Sequence, residues 1–307
     1  MKTIEELYPV LPHRHGSLAE RLGISLRVSA HYVDVIRENQ IIRVSLLHLS
    51  YLHDLITSFD YYFKSVVPTI VGERAIADYS TPRFHEVVGF ETMPVFFSSF
   101  PEPITTTNQY IDFAGLSEGD VVFDLGAYVS LAAINFKRLV GNSGRVIAVE
   151  ADILNFDASK KNTELFKRVT GLEIELVNAA IWDHCQGIEF SAEGNMGSYA
   201  VPLIGRSRAS KKTVSSVTLS ELASRLNVIT VNFIKCDIEG AESVIFRDEV
   251  FFKRYRPKII IETHPLDGVS TAEKCIADLT RLGYHCKTVA QLGVELPLLE
   301  CVPVEAG

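Results

Sequence analysis

The chain has 307 residues, 47% of them hydrophobic and 22% charged, with a formal net charge of −8 at pH 7. That is apolar material for one large core, or for one core plus a smaller layer, and too little basic surface to neutralise a nucleic-acid backbone. Five cysteines (Cys185, Cys236, Cys275, Cys286 and Cys301) form no CxxC pair, which argues for reduced thiols against a disulfide framework or a zinc site.

The first residues, MKTIEELYPVLPHRHGS, lack the apolar run of a signal peptide, and no stretch approaches the roughly 20 apolar residues that span a bilayer. The expectation is a cytoplasmic protein with no membrane or nucleic-acid partner. The densest basic stretch, Arg206–Lys212, reads as a solvated loop. Residues 1–104 carry no motif with a chemical reading. Ser17–Leu22 predicts a short capped helix stopped by Gly23. Tyr32–Ile36 and Ile41–Ser45 flank RENQ as the arms of a hairpin. Between Leu47 and Phe63, Leu49, Leu52, Leu55, Ile56, Phe59, Tyr62 and Phe63 recur at helical spacing, predicting one helix with a buried stripe. From Pro68 to Pro103, prolines and glycines interrupt an aromatic-rich run, predicting a packed irregular segment. Residues 1–104 thus read as a mixed, partly helical cover that shapes the acceptor pocket of a second domain, 105–307.

From Thr105 strands and helices alternate. Thr107 is placed to cap a helix over Asn108–Leu116, and Ser117–Asp120 turns into a strand at Val121–Phe123. The reading continues with helix Leu131–Val140, strand Arg145–Val149, helix Leu154–Arg168 and strand Glu173–Val177. An added hairpin strand, Gly187–Ala192, precedes helix Leu219–Leu226, strand Val231–Cys236 and a helix from Ala241 to Phe246. Strand Pro257–Ile261, helix Thr271–Leu282 and strands Tyr284–Val289 and Glu295–Val302 complete it. Strands apolar on both faces, separated by helices, predict an α/β fold with a mainly parallel sheet covered on both sides.

The chemistry centres on Val121–Ser130, VVFDLGAYVS. A strand ending in an acid and a glycine turn presents backbone amides to a ligand at the carboxyl edge of a sheet. One strand–helix unit later, Arg145–Val149 ends in Glu150, an acid placed to accept hydrogen bonds from a ribose diol. A dinucleotide site would need G-x-G-x-x-G, but the corresponding positions are Gly126, Tyr128 and Leu131, and a tyrosine where a phosphate must approach argues against NAD or FAD. There is no P-loop. A nucleoside with a zwitterionic tail, S-adenosyl-L-methionine, fits what remains.

With AVEAD, FIKCDIEGAE and IETHP following DLGAY in this order, the chain from about Thr105 resembles the FkbM family of S-adenosylmethionine-dependent methyltransferases, FIKCDIEGAE being the most specific stretch. The resemblance implies a class I methyltransferase, Rossmann-like fold with a seven-stranded sheet. It also implies O-methyl transfer to sugars, polyketides and similar small hydroxylated metabolites. By position, Asp124 braces the turn, Gly126 approaches the methionine part of the cofactor, Glu150 holds the ribose, Ala180 lies near the adenine and Asp237 faces the methyl, with Tyr128 also counted among the cofactor-binding residues. Ser130 replaces a glycine usual in related turns, and would crowd the cofactor or lend it a hydrogen bond.

A hydroxyl acceptor must give up a proton, which calls for a base or a metal. Asp237 ends one strand, Glu262 and His264 the next, so Asp237 or His264 is the candidate base. Together the three are candidate ligands for a divalent cation such as Mg²⁺. Plainer readings stand beside these. Asp124 could cap the following helix, His264 could be a turn residue before Pro265, and Glu239 and Glu242 oppose a helix dipole. Trp182 reads as core, Cys236 as an inert buried thiol, and His13, His15, His31, His48, His53 and His85 share no metal-ligand spacing. The rival functions are an NAD-dependent oxidoreductase, opposed by Tyr128, and a non-catalytic binding protein, kept open by Ser130.

Overall fold

The apolar runs after Thr105 assemble into one seven-stranded sheet. Its strands, numbered in chain order, are β1 (Val121–Leu125), β2 (Arg145–Glu150), β3 (Glu175–Asn178), β4 (Phe233–Cys236), β5 (Lys258–Glu262), β6 (Tyr284–Val289) and β7 (Leu298–Pro303). The computed structural model describes residues 10–204, 211–266, 269–293 and 296–304. The spatial order is β3-β2-β1-β4-β5-β7-β6, and every neighbouring pair is parallel except those involving β7. This is the class I methyltransferase architecture, Rossmann-like, and its central strands carry buried side chains on both faces. On one face Phe123, Leu125, Ile147, Ile234 and Ile261 pack with Leu222, Phe251, Phe252 and Leu279 from three helices. On the other, Phe233 meets Phe113 of helix Ile104–Ala114 and Phe136 of helix Leu131–Val140.

The register matters most at β1 and β4. Lys235 lies directly opposite Asp124, so a cation and an anion share one buried face of the sheet. The reversal of order beside β1, from β2 on one flank to β4 on the other, opens a crevice at the carboxyl ends of these strands, where ligands of such sheets bind.

The crossover from β3 to β4 is longer than a single helix. Ala180–Ile181 pairs with Ser216–Val217, and Ile188–Ser191 lies between Tyr199–Ala200 and Lys211–Val214 in a three-stranded antiparallel sheet. Ala180, Trp182, Ile188, Phe190, Ala192, Ala200, Ala241 and Val244 form one apolar cluster, with Ala151, Leu203 and Ile238 packed against it. Of the basic stretch Arg206–Lys212, residues 206–210 lie outside the described residues, while Lys211 and Lys212 begin a strand.

Residues up to Ile104 form a separate compact unit. The hairpin is present as Tyr32–Arg37 paired with Gln40–Ser45, within a five-stranded sheet. Buried Asp34 on that hairpin is bonded by Arg43 at 2.8 Å and Arg27 at 2.5 Å. Three expectations fail here. The stretch from Pro68 to Pro103 is not irregular but holds strands Thr69–Val71, Arg74–Tyr79, Arg83–Val87 and Phe90–Phe97. The single helix over Leu47–Phe63 is broken into a 3₁₀ turn and two short helices, with non-helical backbone at His48 and Ser58. The first helix runs Val10–Arg21, longer than Ser17–Leu22, though Gly23 does follow it with φ +67°. In the second unit, Thr107 lies inside helix Ile104–Ala114 and does not cap it.

Candidate active site

The turn after β1 is built by sterics and by two buried charges. Gly126 has φ +72°, and a Cβ there would lie 1.7 Å from the Asp237 carbonyl oxygen. The close approach that demands glycine is thus the backbone leaving β4, within the chain itself. Tyr128 and Ser130 also adopt positive φ, 49° and 66°, a costly conformation for side-chain-bearing residues that concentrates at functional turns. Ser130 is fully buried, and its hydroxyl is hydrogen-bonded to that of Ser159.

Asp124 makes no hydrogen bond to the turn. The brace is Lys235, whose Nζ donates to the Gly126 carbonyl at 2.7 Å while lying 3.5 Å from Asp124 and 3.3 Å from Asp237. Burial pushes the Asp124 carboxyl above its usual range, and Lys235 opposes that shift. The sequence signal for Lys235 was a lone charge in the apolar run FIKC, which periodicity alone does not interpret.

Glu150 turns inward. Its Oε2 accepts the Tyr128 N–H and its Oε1 the Asp152 N–H, both at 2.8 Å. Burial raises its pKa to about 8 against the pull of those two amides. Each carboxylate oxygen keeps a second lone pair, so the group can still accept hydrogen bonds from a diol. Ala180 is buried in the apolar cluster of the crossover, against which Ala151 and Ile238 also pack.

Asp237, Glu262 and His264 do converge, and two further acids join them. His264 Nδ1 is 3.1 Å from Glu242 Oε1, which also accepts the Ile238 N–H. Its Nε2 is 3.5 Å from Glu239, 3.6 Å from Asp237 and 3.8 Å from Glu262. One imidazole therefore faces four carboxylates. Burial alone would lower its pKa, but Glu239, Glu242 and Asp237 outweigh that and hold the ring protonated well above the usual histidine range. Burial likewise raises Glu239 to about 8 and Glu262 to about 7, with Asp237 adding repulsion at both. Glu262 Oε2 also accepts from Gln291 Nε2 at 3.1 Å and Tyr110 OH at 3.3 Å. The helix-dipole reading of Glu239 and Glu242 misses this contact with His264, because the strand-to-strand placement that makes it is tertiary. Asp237, Glu262 and His264 offer ligand atoms all within 4.8 Å of one another.

A Rossmann-like sheet in this order, with an antiparallel β7 inserted between β5 and β6, is the frame of class I S-adenosylmethionine-dependent methyltransferases. A family model described as the methyltransferase FkbM domain matches residues 124–286, more than half of the chain, and the chain belongs to that family. Among solved structures, the fold is similar to the methyltransferase FkbM from Methylobacillus flagellatus KT (15% identity, 63% of this chain and 50% of that one, TM-score 0.43). It is also similar to precorrin-6y C5,15-methyltransferase from Geobacter metallireducens GS-15 (16% identity, 65% of this chain and 87% of that one, TM-score 0.41). A third is fibrillarin from Aeropyrum pernix, in complex with natively bound S-adenosyl-L-methionine (12% identity, 91% and 99% covered, TM-score 0.42). No curated protein matches the chain. No helix among the described residues is long and apolar enough to cross a membrane.

Proposed function

We propose that this methyltransferase moves the methyl group of S-adenosylmethionine to a hydroxyl of a small metabolite: a sugar, glycoside or polyketide-like compound. The observation that carries the reading is the meeting of Asp237, Glu239, Glu262 and His264 at the ends of β4 and β5, beside the turn after β1. Transfer from a sulfonium is an in-line displacement, so alignment of oxygen, carbon and sulfur dominates. The acceptor hydroxyl forms its bond to the methyl carbon as the carbon–sulfur bond breaks, and its proton passes to a carboxylate. Asp237 is that base. A protonated His264 has no lone pair to offer, and its place among the carboxylates is to spread their charge. Gly126, Tyr128, Glu150 and Ala180 take the cofactor, with Glu150 at the ribose, while Asp124 acts through Lys235.

The test is methyl transfer to a panel of hydroxylated metabolites with Asp237→Asn. Turnover is expected to fall by about 10²–10⁴, the usual share of a general base, with cofactor affinity held within about threefold. Unchanged turnover removes Asp237 from the role.

A divalent cation at Asp237, Glu262 and His264 is a second reading, favoured by the proximity of their ligand atoms. Glu242 on Nδ1 would orient the imidazole as carboxylates do behind metal-bound histidines. A metal would displace the ring proton and lower the acceptor pKa. The nitrogen donor suits Mn²⁺ or Fe²⁺ better than Mg²⁺, which prefers oxygen. Activity that survives chelation and ignores added metal ends this reading.

A further inference from the structure

The crossover between β3 and β4 carries a loop, Glu193–Ser198, that none of the chemistry above uses, yet it is fastened to the end of β2. Asp152, two residues past Glu150, is fully buried. Its Oδ1 accepts the Leu154 N–H and caps helix Ile153–Thr170. Capping needs only one oxygen, and Ser or Asn would serve as well. The other oxygen, Oδ2, accepts the Gly194 N–H at 2.8 Å and the Ser198 hydroxyl at 2.6 Å. One turn along the helix, Asn155 Nδ2 donates to the Asn195 carbonyl at 2.8 Å. Inside the loop, Asn195 Oδ1 accepts the Gly197 N–H and Ser198 Oγ the Glu193 N–H, each at 3.0 Å.

The same Asp152 is joined to the ribose acid. Its N–H donates to Glu150 Oε1, and Tyr128 N–H donates to Oε2. One run of hydrogen bonds therefore links the turn after β1, the acid ending β2 and the loop of the crossover. A ligand whose sugar rests on Glu150 would extend its base toward β3, where Ala180 belongs to a buried apolar cluster against which the partly buried Ala151 and Ile238 pack. The loop is tied to the residues bordering that cluster.

We propose that Glu193–Ser198 forms the adenosine-side wall of the cofactor cleft, and that Asp152 is the positioning residue that holds it there. This rests on the S-adenosylmethionine reading with Glu150 at the ribose. Neither loop nor Asp152 takes part in the methyl transfer itself.

The experiment is amide hydrogen exchange of the full chain with and without S-adenosylhomocysteine, joined to calorimetry of Asp152→Asn. The ligand is expected to slow exchange over residues 193–198 as well as over 126–130. Asp152→Asn keeps the cap but sets an amide NH₂ against two donors. It is expected to raise Kd by about tenfold for S-adenosylhomocysteine and by the same factor for 5′-methylthioadenosine, which keeps the adenosine and lacks the amino-acid end. Protection at 126–130 without any at 193–198 overturns the proposal, as does wild-type affinity in Asp152→Asn or a loss confined to the longer ligand. If Asp152→Asn does not fold, Ser198→Ala, which leaves the cap intact, is expected to raise both values about threefold, and unchanged values overturn the wall. Absence of any binding or protection in the wild type removes the cofactor reading, and the wall with it.

Discussion

Lys235 and Asp124 form a buried pair in which neither is expected to tolerate substitution alone. Both are buried on the same face of the sheet, and each offsets the other's desolvation. Lys235→Met leaves Asp124 without its cation, and a loss of about 3–5 kcal/mol is expected in denaturant unfolding. Adding Asp124→Asn should restore a large part of that loss. A double variant no more stable than the single one would mean that the lysine acts through the Gly126 carbonyl alone. Glu150 gives a pH signature. Its folded pKa, about 8, lies above its ordinary 4.5, so the folded chain retains a proton that the unfolded chain releases in between. The stability it contributes is complete below about 4.5 and lost as pH rises through about 8. Ribose hydroxyls would donate to the ionised form, so affinity for S-adenosylhomocysteine is expected to tighten as pH rises through about 8. Glu150→Gln should abolish that trend, and calorimetry across the range measures it.

At the scale of elements, the turn between β1 and helix Leu131–Val140 concentrates the departures from ordinary backbone. Ser130 is the left-handed N-cap residue of that helix, and its hydroxyl is bonded to Ser159 of the next helix. Ser130→Gly relieves a strain of about 1 kcal/mol and forfeits a hydrogen bond of similar worth. Melting is therefore expected to move by only a few degrees, and S-adenosylhomocysteine affinity by no more than about twofold. A large gain in affinity would mean that the serine crowds the cofactor after all. The elements read least well were in the first unit. The four strands between Thr69 and Phe97 run from three residues, exposed throughout at Thr69–Val71, to eight at Phe90–Phe97. Their pairings supply the structure, and no alternating pattern announced them. The helical stripe from Leu47 to Phe63 was real in its burial, since Leu52, Leu55, Ile56, Phe59, Tyr62 and Phe63 are all buried. Periodicity did not register the breaks at His48 and Ser58.

For the molecule as a whole, cofactor binding should appear as stabilisation. A ligand at one hundred times its Kd adds about 2.7 kcal/mol. S-adenosylhomocysteine is accordingly expected to raise the melting temperature by about 5 °C or more, while NAD leaves it unchanged. A shift with NAD alone would return the oxidoreductase to consideration.

What the sequence determined by itself was the alternation of strands and helices after Thr105, the acids ending β1, β2 and β4, and the family. Those are written locally, in apolar runs, turn residues and short motifs. Helix Leu131–Val140 and strand Tyr284–Val289 fall where the pattern put them. Only the tertiary structure decided which side chains meet. The register of β1 on β4 set Lys235 against Asp124, and the nearness of β4 to β5 placed His264 among Glu239, Glu242, Asp237 and Glu262. Side chains far apart in the chain interact through space, and the charge state of each depends on partners that no local pattern names.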